Sequence, residues 1–410
     1  MLEFVLFYIF FIFIISGIYS FKKKDILNPL SLFVIPILFQ YVIYYVIYRK
    51  DYIVSTMTLF VYLLGLTSYV LGYLVFEVVK KKKDGVENNV IKYKTNWIFV
   101  HFCLGVGVIF FVLTRLYLTK LNISDYDLGS GGANLREAFV YSLDTTPFYV
   151  TYGKYFLLFS TTIYFYEFLH GNQKINKLFM FFLIIFLIIN AFNVVSRTDL
   201  LITIMPLLVI WIDSNNWKKL INKASISSKK SKILIVTSIL GLSLIMNSMR
   251  TTNSNSGLFD KNSSIMQYLG KPIIAFDQWI LPHSNESKEI LFIEPINKIL
   301  LKFELINNDY IKLAPLGQFN VYSYLRVPYM EFGTLGVLIL MFLIGILVNF
   351  LYFKSKIGSR NWLIFYSFYS YAIVMSFFDW QFGVMTYVYL ILFLIGASFI
   401  NTTIIKGDKY

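Results

Sequence analysis

The sequence predicts an all-α polytopic membrane protein of about eleven transmembrane helices, with no substantial soluble part. Hydrophobic residues occupy 57% of the 410 positions and charged residues only 15%, whereas an ordinary soluble domain has roughly 25% charged residues. The mean hydropathy is +0.64. The apolar residues form continuous runs near the ~20 residues that cross the hydrocarbon of a bilayer, which is the pattern of helices and not of alternating membrane strands.

Eleven apolar runs define the predicted helices. They lie at about 2–20, 30–48, 54–79, 97–118, 149–169, 178–196, 199–212, 233–249, 333–353, 361–378 and 384–405. The first run is followed by Lys22–Lys24 without a small-residue cleavage site, so we expect a retained helix and not a signal peptide. The seventh run is short and follows the sixth directly, through Ser196, Arg197 and Thr198.

The basic residues of the connections set the predicted orientation. Lysine clusters follow the odd-numbered helices and recur in the C-terminal tail, whereas the short even connections carry few basic residues. We therefore predict one transmembrane domain over 1–410, with the N-terminus outside and the C-terminus inside. Two large outer loops result, at 119–148 and 250–332, and the second includes an amphipathic stretch at 287–306. This asymmetry accounts for the net charge of +14, and we expect no nucleic-acid partner.

Arginine and lysine are distributed differently across the predicted membrane. On the inner side every basic residue is lysine except Arg360. The outer arginines expected to bind a ligand are Arg136, Arg197, Arg250 and Arg326. Because a planar guanidinium binds phosphate or carboxylate with two parallel hydrogen bonds, this bias favours an anionic ligand at the outer face. The alternatives are interface anchors that snorkel to the surface and, for Arg197, a local contact with Asp199.

Three other features of the sequence could serve metal, phosphate or acid–base chemistry. Asp125-Tyr-Asp127 has the Asp-x-Asp spacing of sugar-transferring enzymes, but acids are common in this loop and we predict no metal and no cofactor. The glycine-rich stretch 129–132 lacks the Gly-Lys-Ser/Thr ending of a phosphate loop. The histidines have no metal-ligand spacing. His283, in the large outer loop, is a candidate general base.

One segment resembles a known family. Asn320-Val-Tyr-Ser-Tyr-Leu-Arg326, followed by Tyr329-Met-Glu-Phe-Gly333 and Gly336, resembles the signature of bacterial oligosaccharide repeat unit polymerases, the Wzy-type O-antigen and capsule polymerases. The many-helix layout, the late outer loop and the outer arginines agree with this family over most of the chain. Glu331 stands where the family more often has aspartate. The residues that the resemblance assigns to glycan binding are Asn320, Tyr322 and Tyr329.

The resemblance implies glycosyl transfer at the outer face of the bacterial cytoplasmic membrane, on a fold like that of the GT-C membrane glycosyltransferases, by analogy only. A growing glycan would move from undecaprenyl diphosphate onto a fresh lipid-linked repeat unit. Forked cations would neutralise the diphosphate leaving group, and Glu331, Asp277 or His283 would take the proton of the acceptor hydroxyl. Membrane lipid, a chain-length regulator and a flippase are the further partners expected.

Two other functions share these features. A lipid-linked oligosaccharide flippase would also need basic sites for a diphosphate, but transporters often contain two related halves, and none is visible here. A glycan ligase, which attaches finished polymer to a lipid or protein, would use the same chemistry. The sequence leaves both alternatives open.

Overall fold

A computed structural model gives an almost entirely helical chain. It describes residues 2–23, 27–81, 90–91, 94–120, 147–170, 175–192, 197–213, 264–280, 323–356, 360–384, 386–399 and 404–405. The helices are α1 (Leu2–Lys23), α2 (Pro29–Ile43), α3 (Thr56–Lys81), α4 (Trp97–Lys120), α5 (Phe148–His170), α6 (Lys177–Phe192), α7 (Arg197–Asp213), α8 (Ser264–Ile280), α9 (Arg326–Lys356), α10 (Arg360–Met375) and α11 (Thr386–Gly396). Every predicted run except 233–249, which lies outside the described residues, therefore contains a helix.

Within the described ranges, four helices are long and apolar enough to cross a bilayer. They are Pro29–Tyr48, Thr56–Lys80, Trp97–Tyr117 and Arg326–Lys356. Large apolar side chains point away from the protein, among them Phe7 (69% exposed), Ile98 (83%) and Leu335 (66%). Helices satisfy their own backbone groups and can present such surfaces to lipid. The chain is thus a helical membrane protein, while the eleven crossings and their orientation stay predictions.

Some boundaries differ from the predicted ones. The last run, 384–405, gives a helix only as far as Gly396, where the Asn96 side chain donates a hydrogen bond to the Gly396 carbonyl at 3.3 Å. The chain then forms short strands, which the sequence did not predict. In the predicted outer loop 250–332, residues Ser264–Ile280 form a helix, although the amphipathic stretch at 287–306 lies outside the described residues.

The contacts divide the chain into two compact units. Unit 1 comprises Met1–Ile91, Ser256–Val388 and Ile404–Tyr410, and unit 2 comprises Lys92–Asn255 and Tyr389–Thr403. Each unit contains one two-residue antiparallel ladder. In unit 1, β1 (Val90–Ile91) pairs with β4 (Ile404–Ile405), and in unit 2, β2 (Lys94–Thr95) pairs with β3 (Ser398–Phe399).

The core of unit 1 is built on the crossing of α3 and α9. A Cβ atom at Gly72 would lie 2.0 Å from the carbonyl oxygen of Phe342, and one at Gly345 would lie 2.2 Å from that of Tyr69. Only glycine permits backbones to approach this closely, and close packing is a main source of helix association in lipid. These two glycines therefore fix where the long helices cross.

Tyrosine fills much of the interior of unit 1. The buried tyrosines contributed by α2 and its π-helical continuation, α3 and the segment before α9 are Tyr41, Tyr44, Tyr48, Tyr62, Tyr69, Tyr73 and Tyr324. Their rings meet edge to face, as between Tyr41 and Tyr62 at 5.4 Å and between Tyr62 and Tyr324 at 6.0 Å, which is a favoured geometry for aromatic pairs. The high tyrosine content thus serves the core as well as the membrane boundary.

Connections that were predicted to share one side of the membrane lie at the same end of their unit. In unit 1, the loop after α2 hydrogen-bonds to α8, and the turn after α10 hydrogen-bonds to the segment before α9. In unit 2, the β2–β3 ladder and a hydrogen bond from Thr95 to Glu167 (2.6 Å) join the segments predicted to be inside. This grouping agrees with the predicted alternation; which end faces outward stays a prediction.

Candidate functional site

The candidate site lies at the end of unit 1 where four segments meet: the loop 49–55, α8, the start of α9 and the turn after α10. We call it the Arg326 site, and its residues are Asp277, Trp279, Arg326, Tyr329 and Asp379. The sequence singled out three of them, Asp277, Arg326 and Tyr329, as site residues.

The start of α9 is a short helix folded back on a long one. Helical geometry is interrupted at Phe332 (φ −137°, ψ 16°) and at Gly333 (φ 61°, ψ −146°). Positive φ favours glycine, which has no Cβ. A Cβ at Gly336 would lie 2.1 Å from the carbonyl oxygen of Pro328, so the short helix can rest on the long one only if this position is glycine. Gly333 and Gly336 therefore allow the short helix to pack on the long one, and this packing holds Arg326 in place.

The segment before α9 is strained and pinned. Ser323 has φ 102°, a conformation that costs a non-glycine residue about 1–3 kcal/mol and persists only when its surroundings enforce it. Here the Ser323 N–H donates to the Phe378 carbonyl at 3.1 Å, and the Tyr324 N–H donates to the Ser376 carbonyl at 3.1 Å. These bonds hold the turn after α10 against the start of α9. They thereby place Asp379 near Arg326.

Arg326 is a fixed and nearly buried cation. Its side chain is 4% exposed, and its guanidinium carbon lies 5.4 Å from the centre of the Trp279 ring. Tyr329 is three residues further on, hence on the same face of the short helix, and its ring packs edge-on against Trp279 at 6.3 Å. The aromatic face attracts the cation and limits its rotamers. The result is a planar fork of hydrogen-bond donors that is oriented before any ligand binds.

Asp379 is an acidic residue whose charge interacts with Arg326. It is half-buried in the turn after α10, and its Oδ1 accepts a hydrogen bond from the Trp380 backbone N–H at 2.8 Å. Burial raises the pKa of Asp379 to about 6, although the Trp380 bond and the Arg326 charge act in the opposite direction. Carboxyl groups with a pKa near the ambient pH suit general acid–base chemistry. Asp379 carries no motif that singles it out in the sequence, although its place in a short predicted outer connection was a usable signal.

Asp277 has a different environment. It is 1% exposed, and its two oxygens accept hydrogen bonds from the Tyr52 hydroxyl (2.9 Å), the Ser55 N–H (3.0 Å) and the Ser55 hydroxyl. Burial and the bond to Asp277 raise the pKa of Tyr52, so the phenol keeps its proton and remains a donor. These bonds favour a positioning role for Asp277, which anchors α8 and hence Trp279 to the loop after α2.

The other predicted site residues are distributed as follows. Glu331 is half-buried on the short helix, five residues after Arg326, which places it about 140° around the helix from that residue. Arg197 is the first residue of α7 and belongs to unit 2; only its backbone is described. The predicted site residues that lie outside the described ranges are Arg136, Arg250, His283, Asn320 and Tyr322.

Among the described residues, no three His, Cys, Asp or Glu side chains form a group that could hold a metal ion. Asp125 and Asp127 lie outside those residues, so independence from metal stays a prediction.

No protein-family model, curated protein or solved structure matches this chain. The function is therefore argued from its own residues and their geometry.

Proposed function

We propose that the chain polymerises undecaprenyl-diphosphate-linked oligosaccharide repeat units into an O-antigen, capsular or related surface polysaccharide, by glycosyl transfer at the outer face of the bacterial cytoplasmic membrane. The observation that supports this best is the Arg326 site, where an oriented guanidinium lies beside a carboxyl of raised pKa and two aromatic rings. Arg326 and Tyr329 also belong to the segment that resembles the Wzy-type polymerases.

The guanidinium would act on the leaving group. When the bond between the anomeric carbon and the diphosphate oxygen breaks, negative charge develops on that oxygen. An oriented cation in a site with little water stabilises such charge strongly, because no reorientation is needed at the moment of reaction. Arg326 is held in this way over Trp279. Arg136, Arg197 and Arg250 belong to unit 2, and the expectation from the sequence that they bind a diphosphate is kept as part of the proposal.

The carboxyl would act on the acceptor. The hydroxyl at the non-reducing end of the second repeat unit attacks the anomeric carbon, undecaprenyl diphosphate departs, and the hydroxyl proton passes to a carboxylate. We assign this proton to Asp379, because its pKa of about 6 leaves it mostly ionised at neutral pH and still basic enough to accept a proton. Glu331 and His283 are the other bases that the proposal contains.

Deletion of the gene tests the function directly. The surface glycan of the deletion strain is separated on a gel and compared with that of the parent strain. Single attached repeat units without polymer are the expected result. Loss of all attached glycan would indicate a ligase instead, and repeat units retained on the inner side of the membrane would indicate a flippase.

Replacement of Arg326 by lysine tests the site. Arg326→Lys keeps the charge but loses one hydrogen bond of the fork; since a charge-assisted bond contributes about 1.5–3 kcal/mol, transfer should slow roughly ten- to a hundredfold. The rate is measured in membranes with purified lipid-linked repeat unit and normalised to protein amount. Arg49→Lys is the control for replacing an exposed arginine at this end of unit 1, because Arg49 is 39% exposed and contacts Glu3 at 3.4 Å. Full activity of Arg326→Lys would show that the fork geometry of Arg326 takes no part in transfer.

Arg197 and Arg250 should respond to lysine replacement in the same way if they also bind the diphosphate. Arg360, the one arginine among the predicted inner basic residues, is the control for burial. It is 6% exposed at the start of α10, and its guanidinium donates two hydrogen bonds to the Asn361 side chain, at 3.1 Å each. Arg360→Lys therefore measures what lost packing and lost hydrogen bonds cost at a buried arginine outside the Arg326 site.

A further inference from the structure

A buried glutamine of α2 contacts the turn after α10. Gln40 is 0% exposed, and its side-chain Nε2 donates a hydrogen bond to the Phe377 carbonyl at 2.9 Å. The two residues are 337 positions apart in sequence, and Phe377 precedes Asp379 of the Arg326 site by two. Gln40 also lies within one of the helices that can cross a bilayer, Pro29–Tyr48, where a polar side chain is costly and often serves a function.

The turn after α10 is buried, so its backbone groups need partners. Ser376, Phe377 and Trp380 are 0%, 9% and 7% exposed, whereas most connections lie at the surface, where water can take their hydrogen bonds. Three successive carbonyls of this turn accept hydrogen bonds from other segments. The carbonyls on either side of Phe377 accept from the segment before α9, and that of Phe377 accepts from Gln40. The turn is therefore held between α2 and the segment before α9.

The bond from Gln40 restrains the turn in a direction that the other two bonds do not. Those two come from the adjacent N–H groups of Ser323 and Tyr324, so together they form a hinge about which the turn can tilt. Gln40 belongs to a different helix and holds the carbonyl between them. Because hydrogen bonds are directional, this third bond opposes tilting. It thereby fixes where the next residues of the turn, including Asp379, lie.

Stability alone gives little reason for a glutamine at this position. The Oε1 atom of Gln40 is buried and has no hydrogen-bond partner among the described residues. An unsatisfied buried acceptor costs at least as much as an ordinary hydrogen bond contributes. The bond to Phe377 is thus offset by this second polar atom, and what it specifies is the position of the turn.

We propose that Gln40 is a positioning residue of the Arg326 site, whose bond to Phe377 sets how deeply the Asp379 carboxyl is buried beside Arg326. The use of that carboxyl as a base rests on the proposed function, whereas its position does not. Burial raises the pKa of Asp379, against the Trp380 bond and the Arg326 charge. If the turn is released, water reaches the carboxyl and its pKa should fall toward the ordinary value of 3.8. Gln40 carries no charge, so such a change would come from position and not from a lost charge.

The test replaces Gln40 in two ways. Gln40→Met keeps an unbranched side chain of similar length and removes the donor. Gln40→Glu keeps the shape, and a carboxyl buried at this position stays uncharged and can donate its O–H to the Phe377 carbonyl. Gln40→Asn, whose amide is one carbon too short to reach Phe377, repeats the test if Gln40→Met does not fold. Melting temperatures in nanodiscs establish which variants are folded.

Asn349→Leu is the matched control. Asn349 is also 0% exposed, and its side chain donates a hydrogen bond to a backbone carbonyl, that of Tyr73, at 2.9 Å. Its Oδ1 atom, like the oxygen of Gln40, is buried without a hydrogen-bond partner among the described residues. This bond joins α9 to α3 near the end of α9 that is remote from Arg326. Asn349→Leu therefore measures the loss of an equivalent bond that does not hold the turn.

The ionisation of Asp379 is measured by infrared titration in nanodiscs. The spectrum of each protein is compared with that of the same protein carrying Asp379→Asn, and the difference isolates the carboxyl band of Asp379. The pKa of this carboxyl should be about 6 in the parent protein. The midpoint should lie at least about one pH unit lower in Gln40→Met and should stay at the parent value in Gln40→Glu and Asn349→Leu.

The pH dependence of transfer is the second readout. In the parent protein, kcat/KM at pH 5 should be about one tenth of its value at pH 7, and a midpoint one unit lower raises this ratio to about one half. Gln40→Met should therefore lose less activity between pH 7 and pH 5, although its rate at pH 7 should be at least about tenfold lower because the base is displaced. A residue that merely stabilised the fold would lower the rate without moving the acid limb.

Three results would each overturn the proposal: an unchanged infrared midpoint in Gln40→Met, a shift as large in Gln40→Glu, or a shift as large in Asn349→Leu. A shifted infrared midpoint with an acid limb still near pH 6 would support Gln40 as the residue that positions Asp379 and would refute Asp379 as the base. The infrared titration needs no substrate, so failure of this inference and failure of the proposed function are distinguishable.

Discussion

Removal of the Asp379 carboxylate provides the sharpest test of the proposed chemistry. In Asp379→Asn the side chain keeps its size, and its amide oxygen can still accept the Trp380 N–H bond. What is lost is the group that would take the proton from the acceptor hydroxyl. General bases contribute about 10²- to 10⁴-fold to the rate of such steps. We expect a loss of transfer within that range at pH 7.

The raised pKa of Asp379 also predicts how strongly the rate of transfer depends on pH. With a pKa of about 6, the carboxyl is about 91% ionised at pH 7 and about 9% ionised at pH 5, so kcat/KM should fall roughly tenfold between those values. A carboxyl at its ordinary value of 3.8 would remain about 94% ionised at pH 5 and would lose almost nothing. The direction follows from the sign of the shift: burial raises the pKa, and activity is lost as the pH falls through it.

The assay is transfer in nanodiscs with purified lipid-linked repeat unit, measured below saturation from pH 5 to pH 8. Such conditions report the ionisation of the free enzyme. The parent protein should show an acid limb centred near pH 6. In Asp379→Asn the residual activity should lack this limb. In Arg326→Lys the limb should stay near pH 6, because the positive charge beside Asp379 is preserved.

Asp51→Asn serves as the control for a general effect of removing an acid from this end of unit 1, because Asp51 lies in the loop after α2 and is exposed. Its profile should match that of the parent protein. If the acid limb of Asp379→Asn equals that of the parent protein, another group is the base, and Glu331 and His283 are tested next. A flat profile from pH 5 to pH 8 in the parent protein would refute the reasoning altogether.

Three further predictions concern orientation, backbone geometry and metal. In a Cys103→Ser background, a cysteine introduced as Asp51→Cys should react with an impermeant thiol reagent in whole cells, whereas one introduced as Lys356→Cys should not. Both positions are exposed, and they are predicted to lie on opposite sides of the membrane. Labelling of Lys356→Cys but not of Asp51→Cys would show that the predicted orientation is inverted. Gly336→Ala should slow transfer at least about tenfold, because the added methyl group displaces the short helix of α9. Gly105→Ala should leave the rate unchanged, because Gly105 has open space around it. If the two variants are equally active, the short helix does not depend on the close contact between Gly336 and Pro328. Transfer should survive excess chelator, and a loss restored by magnesium or manganese would show a metal requirement.

The helices could be predicted from the sequence because each is an apolar run long enough for a bilayer. Their ends were harder to predict where tertiary contacts decide them. Hydropathy predicted a helix up to residue 405, but the chain leaves the helix after Gly396 to pair Ser398–Phe399 with Lys94–Thr95, just over 300 residues earlier in sequence. Periodicity within one run contains no information about such a partner. For the same reason, hydropathy starts the ninth span at Gly333 and misses the short helix that begins at Arg326.

Those residues of the candidate site could be predicted whose type and position in the sequence already suggest a function. Arg326 stood out as a forked cation in a family-like segment, and Asp277 as an acid in an outer loop. Their environments could not be predicted. Asp277 is held by Tyr52 and Ser55, more than 200 residues away in sequence, which indicates positioning. Asp379 carries no motif, and its raised pKa arises from burial that only the folded chain creates.

The charge interaction between Arg326 and Asp379 explains how a nearly buried cation could serve the proposed reaction, which creates negative charge. Before reaction, the carboxylate partly compensates the guanidinium, which limits the cost of burying it. In the proposed step, Asp379 takes the acceptor proton and becomes neutral, so the field of Arg326 is no longer compensated. That change coincides with the growth of negative charge on the departing diphosphate. In this proposal the guanidinium therefore interacts more strongly with the transition state than with the bound substrate, and such a difference is what accelerates a reaction.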